Sequence, residues 1–184
     1  HWGDSRESHV PSLLEMLRVP YTGSGVLTLA LTLDKPMTKR VLTFHHISTP
    51  PFQTFERVDE RLDPALQFPL FCKPSCEGTG MGVSAQSIVY DERELRRRLE
   101  EQLARYRQPI LVERFIRGRE VTVGITGNLT PPVARRMPED ITAVRVESGL
   151  RFLPPLEVDF TAYPDSEGGV YTNRMKTEWA NDFR

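Results

Sequence analysis

The chain has 184 residues, enough for one ordinary domain or two small ones around a buried core. Its 24 Lys and Arg stand against 25 Asp and Glu, a formal charge of −1, so no basic excess points to a nucleic-acid backbone as partner. Hydrophobic residues make up 39% and charged residues 27%, ordinary globular usage, and no apolar run reaches the roughly 18 residues of a membrane span.

The chain opens on mixed polar residues without a targeting signal, and both its ends read as cut from something longer. Leu13, Leu14 and Leu17 fall on one face of a helix expected over residues 11–18, with Pro11 in its first turn. A turn over VPYTGSG leads to a second helix, read from the spacing of Leu27, Ala30, Leu31 and Asp34. Asp34 is also placed to cap a third helix, with Met37, Val41 and Leu42 on one face and Lys35 at its start. Residues 48–67 hold three prolines among charges and read as a linker with one weak helix.

Beyond the linker the pattern changes to strand. FPLFCKP is a short apolar run expected to end at Lys73, because the proline after it cannot donate to a central ladder. A loop with glycines at 78, 80 and 82 follows, then a short strand in SIVYD. Asp91 with Glu94 forms a capping-box arrangement, and Leu95, Leu99, Leu103 and Tyr106 supply a helical stripe that Pro109 ends. ILVERF reads as the next strand. In REVTVGITGN, Val121, Val123 and Ile125 alternate with Thr122, Gly124 and Thr126 as one more. A proline-rich polar stretch after Asn128 leads to PLEVDF and to YPDSEGGVYTNRMKTEW, which has two glycines at a turn and no helical period.

Chemistry concentrates around the glycine loop. Glycines alternating with Thr79 and Met81 let backbone N–H groups approach an anion, although the spacing is neither the Walker pattern nor GxGxxG, and a hairpin tip is the plainer reading. Lys73 in an apolar strand calls for an anionic partner or a path to water for its head. Glu113 and Glu120 suit either hydrogen bonds to an exocyclic amine or ribose hydroxyl, or pairing with Arg114 or Arg117. Adjacent His45 and His46 have poor metal-ligand spacing, and Cys72 and Cys76 lack a zinc pattern. Two cysteines so close make no secreted disulfide framework, which suits a cytoplasmic location.

Taken in order, VPYTGSG, LDKPMTK, FPLFCKPSCEGTGMGVS and ILVERFIRGREVTVGITGN resemble the ATP-grasp ligases, specifically the D-alanine:D-alanine ligase family. The resemblance covers residues 10–128 well and 155–177 weakly. It implies an α/β (α+β) ATP-grasp fold, with residues 1–34 ending an N-terminal α/β domain, 35–67 a linking helical region, 68–127 the central nucleotide-binding domain and 128–184 the start of a C-terminal domain. By the same resemblance Lys35 and Lys73 hold ATP phosphates, and Glu77, Gly78, Thr79, Gly80 and Met81 belong to the loop that closes over them. Phe71 lines the adenine pocket, Glu113 with the backbone of Arg114, Phe115 and Ile116 forms the adenine hinge, and Glu120 binds ribose. Lys176 is a further phosphate lysine, so that Lys73, Lys176 and Thr79 are the expected catalytic set.

The implied reaction, in peptidoglycan synthesis, is transfer of the ATP γ-phosphoryl group to a carboxylate, followed by amine attack on the acylphosphate. The implied substrates are ATP and D-alanine or another amino acid, with no nucleic acid and no membrane as partner, and a homodimer is compatible with the family. No metal ligand is assigned within the chain; residues for Mg2+ are expected beyond Arg184, so the piece alone is expected to be inactive and marginally stable or self-associated. The loop departs from the usual Arg-Glu-Gly-Ser-Ser in Cys76 and Gly80, and Thr177 stands where a tyrosine is usual. These departures leave open a related ligase for another amino acid, or a nucleotide-binding module without catalysis.

Overall fold

The structure is a computed structural model that describes residues 3–127, 149–160, 170–173 and 175. Its contacts divide the chain into two units, His1–Ile116 with Tyr163–Arg184, and Arg117–Ala162. No helix among the described residues is long and apolar enough to cross a membrane.

The first unit is built on a four-stranded sheet in which every neighbouring pair is antiparallel. The order is β1 (Phe52–Phe55), β4 (Ile110–Arg114), β2 (Leu70–Pro74), β3 (Ile88–Val89). Because side chains alternate across a strand, register divides the sheet into two faces. Phe55, Leu70, Cys72, Val89, Ile110 and Val112 share one face, and α4 (Glu92–Tyr106) lays Leu95 and Leu99 on it. Both leucines are fully buried, each contributing roughly 2 kcal/mol of apolar transfer. The Asp91 carboxylate accepts the Glu94 N–H at 2.8 Å and the Glu94 carboxylate accepts the Tyr90 N–H at 2.9 Å, closing the start of α4 as its sequence predicts. Arg107, left-handed at φ 52°, ends it.

Several expectations need correction. Residues 48–67 are no linker helix: Phe52–Phe55 is the edge strand of the sheet, and Leu66, Val58 and Leu62 pack on the core. The charges hid four residues whose aromatic ends suit a pleated surface. Strand β2 runs one residue past Lys73, to Pro74 opposite Ile110, since a proline closes a ladder as well as stopping before it.

Three helices precede the sheet, α1 (His9–Met16), α2 (Val26–Leu33) and α3 (Lys35–Phe44). Their boundaries follow the sequence within two residues, but the apolar residues that mark them are largely not the buried ones. Leu13 and Leu17 are more than half exposed, Leu27 is 79% exposed, and the buried residue of α2 is Leu33. In α3 the buried positions are Pro36 and Lys39, while Met37 is exposed. Asp34 caps α3 as expected, its carboxylate accepting the Met37 N–H at 2.8 Å.

In the second unit the single alternating strand expected after Arg119 is two short ones. β5 (Val121–Thr122) pairs with β8 (Leu156–Glu157), and β6 (Ile125–Thr126) with β7 (Arg151–Phe152). Gly124 separates them: its carbonyl accepts the Leu153 N–H at 2.8 Å, and a Cβ there would meet the Leu153 side chain at 2.9 Å. Val121, Val123 and Ile125 are about half exposed, so the alternation marks no buried face among the described residues.

Candidate functional site

The sheet face opposite α4 carries charge. In β2, Phe71 and Lys73 point to this side, and their register partners on β4 are Glu113 and Leu111. Lys73 Nζ donates to Glu113 Oε1 at 2.5 Å, and Lys39 Nζ, arriving from α3, donates to Glu113 Oε2 and to Thr49 Oγ1, both at 2.6 Å. One carboxylate, 9% exposed, thus joins two ammonium groups. Burial alone would push the Glu113 carboxyl up, but Lys73 and Lys39 together outweigh it and hold it below the ordinary range. The Lys39 and Lys73 heads also lie 5.1 and 5.7 Å from the ring centres of Phe52 and Phe71, and Phe71 stacks on Phe115 at 6.0 Å.

Lys35 reaches the same region from the first turn of α3. Its N–H donates to Ser75 O at 3.1 Å, and its Nζ donates to Ser75 O at 3.3 Å and to Glu77 O. Burial, and then the nearby charge of Lys73, push this ammonium down to about 8. Beside it the Ser75 hydroxyl is buried without a hydrogen-bond partner among the described residues. Two lysines and an orphaned hydroxyl fit a polyanionic ligand such as a nucleotide phosphate chain.

The loop that follows is fastened at both ends. The Glu77 carboxylate accepts from Arg6 Nη2 and from Gln108 Nε2, both at 2.8 Å. Arg6 Nη1 donates to Cys76 O at 2.9 Å, and Gln108 Oε1 accepts the Cys76 N–H at 2.6 Å. Burial, followed by Asp34 and Asp4, raises the Cys76 thiol. A Cβ on Gly78 would meet the Glu7 carboxylate at 3.9 Å, an ordinary contact. Thr79 is left-handed at φ +54°, and Gly80 at φ +72° would place a Cβ 3.1 Å from Asn173 N, so the chain there needs glycine. Asn173 Nδ2 donates to Thr79 O at 2.8 Å. Thr79 and Met81 are exposed. A cavity of about 870 Å³ beside the loop is lined by Met81, Ser84, Arg98, Gln102, Tyr106 and Asn173 among others, and by none of Lys35, Lys73 and Glu113.

Of the hinge residues, Arg114 N–H donates to Pro51 O and Phe115 N–H to Pro69 O, each at 3.0 Å, so these two amides already serve the strands. Ile116 is 64% exposed. Glu120 lies in the second unit, exposed, its carbonyl accepting the Val158 N–H at 2.9 Å. Lys176 and Thr177 lie outside the described residues, and just before them Asn173 and Met175 are helical, where the sequence shows no helical period.

Three residues at this site fall outside the sequence expectations: Lys39, Arg6 and Gln108. Lys39 was legible as the residue four after Lys35, one turn further along the same helix face. Arg6 and Gln108 are 71 and 31 residues from Glu77, and no local pattern joins them.

Residues 41–144 match the family described as D-ala D-ala ligase C-terminus. A D-alanine--D-alanine ligase of Syntrophotalea carbinolica is 40% identical over 139 residues, covering 76% of this chain and 44% of that protein. One from Pelotomaculum thermopropionicum is 38% identical over 157 residues, covering 79% and 48%. Among solved structures, D-alanine--D-alanine ligase from Bacillus anthracis complexed with ATP superposes with a TM-score of 0.62 at 25% identity, over 90% of this chain and 48% of that one. The chain thus spans less than half the length of these relatives, and its mixed fold is that of ATP-grasp ligases. With more than half of its residues inside the match, the chain belongs to the D-ala D-ala ligase C-terminus family.

Proposed function

We propose that the protein is an ATP-dependent carboxylate–amine ligase, joining D-alanine or another amino acid to an amine, and that this chain supplies its nucleotide-holding face. The observation that carries this reading is the approach of Lys35, held at Ser75 O, to Lys73, which pairs with Glu113 on the sheet face beside the glycine loop. Lys35, Lys73 and Lys176 neutralise the phosphate chain, Thr79 and its neighbours cover it, and Phe71 with the 113–116 hinge receives the adenine. Since the Arg114 and Phe115 amides serve the sheet, Ile116 is the hinge amide assigned to the base. Glu77, bound to Arg6 and Gln108, anchors the loop rather than touching ligand.

In the reaction the γ-phosphoryl group passes from ATP to a carboxylate oxygen and ADP leaves. The amine then attacks the acyl carbon and phosphate departs as the amide forms. Catalysis on this face is positioning and charge neutralisation, without a covalent nucleophile from the protein. Among the described residues no three His, Cys, Asp or Glu side chains gather to hold a metal, and no step is assigned to one on this chain. Residues 1–34 are assigned to the end of an N-terminal domain and 128–184 to the start of a C-terminal one.

The test is ADP release by the full-length protein with Mg2+ and ATP, across D-alanine, other amino acids and none. Release that depends on D-alanine supports the ligase. Dependence on another amino acid keeps the chemistry and changes the substrate, whereas ATP binding without amino-acid-dependent release overturns the catalytic reading.

A further inference from the structure

Glu113 has two cationic partners, and they differ in what else they touch. Lys39 is 7% exposed, with its ammonium also hydrogen-bonded to Thr49 and set over the Phe52 ring. It has no route to an external ligand without breaking three contacts. The Lys73 side chain also lies over a ring, that of Phe71, but it is 23% exposed against 8% for the Lys39 side chain, and its one hydrogen-bond partner among the described residues is Glu113. The pair therefore consists of one fixed cation and one with a path outward.

We propose that Lys39 is a positioning residue: it is the resident counter-ion of Glu113 and so allows Lys73 to exchange Glu113 for a nucleotide phosphate. This inference rests on the nucleotide reading of the site. The reason is electrostatic. A buried carboxylate whose only cation departs is left unpaired and desolvated, a penalty that would hold Lys73 in place. With Lys39 bound to Oε2, Glu113 stays paired through the exchange. The array as it stands, two ammonium groups and one carboxylate, also carries one positive charge over, which a phosphate oxygen neutralises. Lys39 thus acts on the phosphates only through Glu113 and Lys73.

The experiment compares affinities for ATP and for adenosine, by calorimetry on the full-length protein, because adenosine uses the base pocket without phosphates. In Lys39→Met the ratio of ATP to adenosine affinity should fall about ten-fold or more, since Lys73 is held by a carboxylate that has no other partner. Adding Glu113→Gln to Lys39→Met should restore the ratio, as it releases Lys73, even if both affinities drop through the hinge. A merely structural Lys39 would lower both affinities together and leave the ratio unchanged, which overturns the inference. If Lys39→Met fails to fold, Lys39→Gln, which keeps a polar group beside Glu113 and Thr49 but no charge, replaces it in the same comparison: a ratio about ten-fold below the parent's supports the exchange, and an unchanged ratio overturns it. Absence of ATP binding by the parent protein itself is a separate outcome, which overturns the nucleotide reading and this inference with it.

Discussion

The two faces of one sheet are built on opposite principles. Toward α4, Phe55, Leu70, Cys72, Ile110 and Val112 meet Leu95 and Leu99 with no charge among them. Toward the other side, the same strands present Phe71, Lys73 and Glu113, joined by Lys39. The apolar face adds stability with every contact, whereas two lysines and a carboxylate in a buried setting contribute little net stability for the desolvation they require. Charge kept at such a cost, beside a loop that needs glycine, is what the proposed nucleotide face requires. The apolar face fixes where those charges stand.

That contrast can be broken most severely at Glu113. Glu113→Ala leaves Lys39 and Lys73 facing each other without the carboxylate, and should destabilise the fold by about 4 kcal/mol in urea unfolding at neutral pH. A loss under about 1 kcal/mol would mean that the lysines find water readily and that the face is surface-like. Acid acts on the same group. Its folded value lies below the unfolded one, so its contribution is complete above the ordinary carboxylate range and disappears as pH falls toward the folded value. Glu113→Gln should flatten that acid limb of the stability profile.

On the apolar face Leu99→Ala should cost about 3 kcal/mol, by transfer and by the cavity left under α4. Folded Leu99→Ala protein should bind ATP as the parent does, and a matched loss of affinity would show that the two faces are not separable. A smaller effect belongs to the end of α4, where Asp91→Ala should cost about 1 kcal/mol through the lost cap and leave binding unchanged.

The apolar face was readable from sequence because its signal is periodic. Leu95 and Leu99 repeat at four residues behind Asp91 and Glu94, and Leu70 and Cys72 alternate at two. The charged face was readable only as separate residues. Lys73 and Glu113 interrupt apolar runs, but their pairing depends on the β2–β4 register, and the resemblance to ATP-grasp ligases, rather than spacing, joined them. The helices α1–α3 show the limit of periodicity. Apolar residues such as Leu13 and Leu27 mark a face that stays more than half exposed among the described residues, while α3 turns Lys39 inward, since its inward face answers to Glu113 rather than to hydrophobicity. Strand β1 was missed because four residues among prolines and charges give too short a run to show alternation.

Lys35 offers the finest probe of the charged face, one that reads a proton rather than a fold. In the unliganded chain its ammonium is pushed down to about 8 from 10.5, first by burial and then by Lys73. The unfolded chain therefore holds this proton more tightly, and stability should rise with pH between those two values as the folded chain releases it. A phosphate bound beside Lys35 reverses the balance, because an anion favours the charged form. ATP binding at pH 8 should then take up roughly half a proton, and at pH 6 almost none, since Lys35 is already protonated there. Calorimetry in two buffers of different ionisation enthalpy measures the uptake directly. Lys35→Met should abolish it while leaving the adenosine affinity unchanged. Equal uptake in parent and variant would place the titrating group elsewhere and remove Lys35 from the phosphate site, whatever the effect of the substitution on ATP affinity.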